Sequence, residues 1–167
     1  MAVTMLPEKL KTLELCLAAA RDFGWVSMFV PEALKTAEMC LTAVQKDDGP
    51  ILKYVPEALK TPKLCRVAVQ NSGYSLEYVP EALKTPELCL AALQQSFEVY
   101  DGTIHVCGDA LQFVPEAMKT PELCLAAVQG YGPALQYVPE ALKTLELCQA
   151  AIQNNAEALQ FVPEAFK

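Results

Sequence analysis

One short motif recurs along the whole chain. Val-Pro-Glu-Ala-Leu begins at Val30, Val55, Val79 and Val138, and close variants begin at Leu6, Val114 and Val162. Successive starts lie 24 or 25 residues apart, except for a single step of 35 between Val79 and Val114. A unit of that size cannot enclose a core of its own and must bury its apolar side chains against neighbours of the same kind. The repeat predicts one helical repeat domain over 1–167, an α-solenoid whose units start near 6, 30, 55, 79, 114 and 138. A half unit runs from 162, and an insertion occupies 96–107.

Within the unit, Thr12, Thr36, Thr61, Thr85, Thr120 and Thr144 stand where a helix N-cap is needed, and Pro62, Pro86 and Pro121 follow at the first helical position. There a missing N–H costs nothing. Glu87, Glu122 and Glu146 come next, where a carboxylate favours the helix dipole. A helix of roughly three turns is predicted from each threonine, ended by a turn with glycine as the terminating residue. The second half, such as Leu76–Lys84, contains a proline that forbids one continuous helix. It is expected to make one or two short turns, α or 3₁₀.

Comparison of the copies sorts core from surface. Leu15, Met39, Leu64, Leu88, Leu123 and Leu147 are equivalent and always large and apolar, as are Phe29, Tyr54, Tyr78, Phe113, Tyr137 and Phe161. Ala19, Ala43, Ala68, Ala92, Ala127 and Ala151 do not vary, which suits close helix–helix approach. Leu17, Leu41, Arg66, Leu90, Leu125 and Gln149 share a position that accepts charge, so it must reach solvent. The Glu and Lys of the short element (Glu32/Lys35, Glu57/Lys60, Glu81/Lys84, Glu116/Lys119, Glu140/Lys143) are expected to be ordinary solvated i,i+3 pairs.

With 53% hydrophobic residues the chain has ample material for a core, and a formal charge of −7 disfavours nucleic acid or an anionic membrane as partner. No apolar run reaches the ~20 residues that span a bilayer, and residues 1–8 lack the pattern of a secretion signal. A cytoplasmic location is the expectation, with signal-less export left open.

The blocks Leu-Gln-Tyr-Val-Pro-Glu-Ala-Leu-Lys (135–143) and Thr-Pro-Glu-Leu-Cys-Leu-Ala-Ala-Val-Gln (120–129) carry a family likeness over nearly the whole chain outside the insertion. In them the chain resembles the short α-helical repeats found in many copies in bacterial proteins, a family of unknown function. The resemblance implies the fold and no activity. There is a looser similarity to leucine-rich repeat variants, which also alternate an α-helix with a 3₁₀ turn.

Candidate chemistry is sparse. Cys16, Cys40, Cys65, Cys89, Cys124 and Cys148 share one repeat position, and no Cys-x-x-Cys occurs, so they read as buried core thiols without metal or cofactor. His105, the single histidine, lies in the insertion with Asp101, Cys107 and Asp109, a loose metal or redox grouping over 96–109. The same stretch reads better as a β-hairpin turning at Asp101-Gly102, with His105 near Glu98.

The chain is therefore expected to be a non-enzymatic scaffold that binds an unknown protein or peptide. The alternative is a spacer array with no specialised site. Candidate partner-binding residues are the row Leu17, Leu41, Leu90 and Leu125, the turn residues Trp25 and Tyr74, and Tyr100 and His105 in the insertion. The leucines are either exposed or half-covered by the adjacent helix, and Trp25 either recruits a partner or closes the first unit. The half unit at 162–167 either caps the array with Phe166 or leaves an apolar end that favours end-to-end homo-oligomers.

Overall fold

A computed structural model describes residues 13–46, 51–94, 98–100, 103–105 and 107–167. The chain forms two compact units, Met1–Leu83 and Lys84–Lys167. In the first lie the α-helices α1 (Leu13–Asp22), α2 (Ala37–Lys46) and α3 (Pro62–Asn71). The second holds α4 (Pro86–Leu93), α5 (Pro121–Gly130) and α6 (Leu145–Asn154). Helix α1 packs on α2 and α2 on α3, and in the second unit α4 packs on α5 and α5 on α6. The fold is an all-α repeat array.

The helix starts follow from the repeat. Thr61 is extended, and its hydroxyl accepts the N–H of Leu64 at 3.3 Å. Thr36, Thr85, Thr120 and Thr144 do the same for Met39, Leu88, Leu123 and Leu147. Thr12 lies outside the described residues. Each long helix is followed by two 3₁₀ helices, for example Gly132–Tyr137 and Glu140–Leu142. The split falls at Val-Pro because the residue before a proline is pushed out of the helical region: Val138 sits at φ −79°, ψ 131°.

Glycine is the last residue of α5, at Gly130, whereas α3 and α6 end on Asn71 and Asn154. The residues that follow α3, α5 and α6 are Ser72, Tyr131 and Asn155, all in extended conformation. Gly132 instead opens the next 3₁₀ helix and is buried, against the following long helix. A Cβ there would stand 2.3 Å from the carbonyl oxygen of Ala151. Closeness of backbones, not a left-handed turn, requires glycine at this position.

Beneath the helices the core repeats with the sequence. Cys16, Cys65, Cys89 and Cys124 are fully enclosed, with Ala43, Ala92, Ala127 and Ala151 one turn further on, and Leu52, Leu76, Leu111 and Leu135 from the 3₁₀ helices. Met39, Leu64, Leu88, Leu123 and Leu147 are buried as expected, but Leu15 is exposed. The aromatic position is less enclosed than its invariance suggested. Tyr54, Tyr78, Phe113, Tyr137 and Phe161 are half-buried and Phe29 is exposed. Two serines break the pattern. Ser27 stands at the buried leucine position, and Ser75 at the position held by Ala110, Ala134 and Ala158. Among the described residues, neither buried hydroxyl has a hydrogen-bond partner. Ser75→Ala is therefore expected to stabilise the protein by about 1 kcal/mol, since it removes a desolvated, unsatisfied group. A melt should rise by about 2–4 °C; a lower midpoint would mean that the hydroxyl has a partner after all.

The Glu–Lys pairs are not solvated surface. The side chains of Lys60, Lys119 and Lys143 are only 6%, 5% and 7% exposed. Each lysine crosses to the next repeat and donates to the main-chain carbonyl of its aromatic residue. Lys35 reaches Tyr54, Lys60 reaches Tyr78, Lys84 reaches Phe113, Lys119 reaches Tyr137 and Lys143 reaches Phe161, at 2.5–3.2 Å. Glu57, Glu116 and Glu140 accept from the same ammonium groups while standing in solvent. The aromatic position is invariant in character, yet what the lysine uses is its backbone. A second tie comes from Asn154, whose Oδ1 accepts the N–H of Gly132 at 2.7 Å and whose Nδ2 donates to the carbonyl of Gln129. Asn71 donates to the carbonyl of Val44 in the same way.

Within the insertion, β1 (Glu98–Tyr100) and β2 (Thr103–His105) pair antiparallel, with Glu98 opposite His105. This is the hairpin and register that the sequence predicts. The Asp101-Gly102 turn lies outside the described residues.

Candidate binding face

On α3, α4, α5 and α6 the outward side is built from three repeat positions. The first helical residue is Pro62, Pro86, Pro121 or Leu145; the next is Lys63, Glu87, Glu122 or Glu146; three further on comes Arg66, Leu90, Leu125 or Gln149. All twelve are exposed. Because the threonine cap sets where each helix begins, these residues recur at the same place on every copy.

In the second unit, Leu90 is 37% and Leu125 38% exposed. A shallow groove between α4 and α5 is lined by Pro86, Glu87, Leu90, Thr120, Glu122 and Leu123. In the first unit, Leu17 and Leu41 are half-buried, and Leu41 lines the corresponding groove with Ala37, Glu38, Thr61, Lys63 and Leu64. The leucine row thus divides, exposed in the second unit and half-covered in the first. Leu145 is 50% exposed at a position that holds alanine on α2 and proline on α3, α4 and α5. The sequence signal was that replacement of a small or rigid residue by a leucine.

The charges of the face differ between the units. Arg21 pairs with Glu38 at 3.6 Å in the first unit, where Lys63 and Arg66 add positive charge. In the second, the corresponding helices carry only Glu87, Glu122 and Glu146 at these positions. The carboxyl of Glu122 is held below the usual range by a hydrogen bond from its own backbone N–H, with the Thr120 hydroxyl adding to it.

The other candidates fall elsewhere. Trp25 is exposed beside Phe23 and Phe29, with ring centroids 6.4 and 6.0 Å away. Tyr74 is half-buried at the equivalent turn. Tyr100 and His105 are on β1 and β2, and their side chains lie outside what the structure describes. In the last repeat, Leu159 and Phe166 are exposed beside Ala156 and Glu157.

Cys16, Cys40, Cys65, Cys89, Cys124 and Cys148 are free and buried. Burial pushes the thiols of Cys40, Cys65, Cys124 and Cys148 above their ordinary pKa, against a smaller opposite pull from Lys35, Lys60, Lys119 and Lys143 respectively. In the folded protein these thiols are expected to react slowly with a disulfide reagent. Rapid modification of two or more thiols without denaturant would contradict this. Among the described residues, no group of three or more His, Cys, Asp or Glu is arranged to hold a metal ion, and no helix is long and apolar enough to cross a membrane.

A repeat array with capped helices, lysine ties and an outward leucine face is the class of protein that this geometry defines. The domain of unknown function DUF4116 matches residues 37–84 and 120–167, together more than half of the chain, and the chain belongs to that family. Each matched stretch takes in two consecutive long helices. No curated protein and no solved structure matches it.

Proposed function

We propose that this chain is a non-enzymatic repeat scaffold that binds a protein or peptide along the outward face of its long helices. The observation that carries the reading is the exposure of Leu90 and Leu125 beside a groove, at a position that Arg66 and Gln149 show can hold a polar or charged side chain. An apolar side chain kept in solvent at a permissive position is what an interaction surface requires. The spacer alternative accounts for the repetition but gives these leucines no task. Bacterial origin and a cytoplasmic location belong to the same reading.

Crosslinking in native extract tests it, with the intact chain set beside Leu90→Asp/Leu125→Asp and a form lacking 96–107. Partners lost from the double variant and kept by the deletion support the face. Partners lost only from the deletion would move the site to the hairpin. A crosslinking pattern unchanged by either alteration would favour the spacer.

A further inference from the structure

Resting on that binding reading, the second unit's face shows what chemistry its partner must have. On α4, α5 and α6 the outward positions are Pro86, Leu90, Pro121, Leu125 and Leu145 for apolar contact, and Glu87, Glu122 and Glu146 for charge. Gln149 completes the set, so no Lys or Arg occurs at these positions. Neither Lys119 nor Lys143 supplies positive charge to the face, because each is buried and held by a carbonyl and a glutamate.

We infer that this face takes an extended segment of another protein with a leucine-sized side chain at every third residue and lysine or arginine between. The apolar side chains would lie in the grooves between helices, and the basic groups would meet the first-turn glutamates. Packed helices stand ~8–10 Å apart, and an extended chain in polyproline II geometry advances ~3.1 Å per residue with three residues per turn, so anchors at every third residue share one side and fit successive grooves. Charge complementarity selects this occupant over the alternatives. A second copy docked through the same face would set glutamates against glutamates, and anionic lipid or nucleic acid meets the same repulsion. On α3 of the first unit Lys63 and Arg66 stand at the corresponding positions, so that helix lacks this selectivity and serves as an internal control.

Fluorescence titration of the intact protein with two labelled peptides tests the inference. Both carry leucine at every third position; one has lysine between, its twin glutamate. The lysine peptide is expected to bind at least about tenfold more tightly, with affinity falling as salt rises. Glu87→Lys/Glu122→Lys should lose about tenfold, and Lys63→Glu should leave the affinity unchanged. Equal binding of the twins, no binding of either, or an indifferent Glu87→Lys/Glu122→Lys would overturn the inference while leaving a binding face of other chemistry standing. Leu90→Ser/Leu125→Ser separates the two readings: if it binds the lysine peptide as tightly as the original chain, the leucine face itself is wrong. Dimers in sedimentation that Leu90→Ser/Leu125→Ser abolishes would assign the face to a second copy instead. Circular dichroism of each variant confirms folding.

Discussion

Gly132→Ala is expected to destabilise the protein by about 3 kcal/mol. The added methyl would lie 2.3 Å from the Ala151 carbonyl oxygen and 3.1 Å from the Asn155 nitrogen. Two of its nearest neighbours are backbone atoms, so no side chain can swing clear and the end of α6 must move. That motion strains two contacts at once, the Gly132 N–H given to Asn154 Oδ1 and the Asn154 amide given to Gln129. Thermal midpoints should drop by about 6–12 °C. The last repeat provides the contrast, since Ala156 occupies the equivalent position and is exposed, and Ala156→Gly should change stability by under about 1 kcal/mol. A loss for Gly132→Ala below about 1 kcal/mol in urea titration would show that neighbouring repeats can part without cost.

Lys119→Met is expected to cost about 2–3 kcal/mol. Methionine keeps the aliphatic length, so the change isolates the ammonium. That group gives one hydrogen bond to the carbonyl of Tyr137 at 2.9 Å and one to Glu116 at 2.6 Å, with the side chain 5% exposed. Its removal leaves a half-buried carbonyl without the donor it had, and an unmet acceptor costs more than a made bond contributes. Lys167 serves as control. It pairs with Glu164 at 2.7 Å, but its side chain is 35% exposed, and Lys167→Met should stay within about 0.5 kcal/mol. Equal effects at the two positions in urea titration would mean that the exposed ion pair, not the carbonyl, accounts for the lysine.

Much of this architecture was legible because it is local. Thr144 caps α6 because a hydroxyl at that point in the chain meets a free N–H three residues later, whatever surrounds it. Val138-Pro139 divides the second half of its unit because the proline ring excludes helix from the residue before it. The Glu98–His105 register followed from a two-residue turn and β-prone flanks. The misreadings were non-local. An i,i+3 Glu–Lys pair looks the same in a sequence whether the ammonium faces water or a carbonyl 18 residues away. Leu15 is aligned with five buried residues, yet it is exposed on α1.

The candidate face divides along the same line. Sequence alone identified Leu17, Leu41, Leu90 and Leu125 as one position, since Arg66 and Gln149 share it and a buried site would not accept them. Only the packed helices decided that Leu17 and Leu41 are half-covered while Leu90 and Leu125 stand open. Periodicity, caps and prolines are set by covalent neighbours and steric rules that act within a few residues. Which atom a lysine reaches, how near a glycine lies to another helix and how much of a leucine meets water depend on contacts between repeats, and those exist only once the chain is packed.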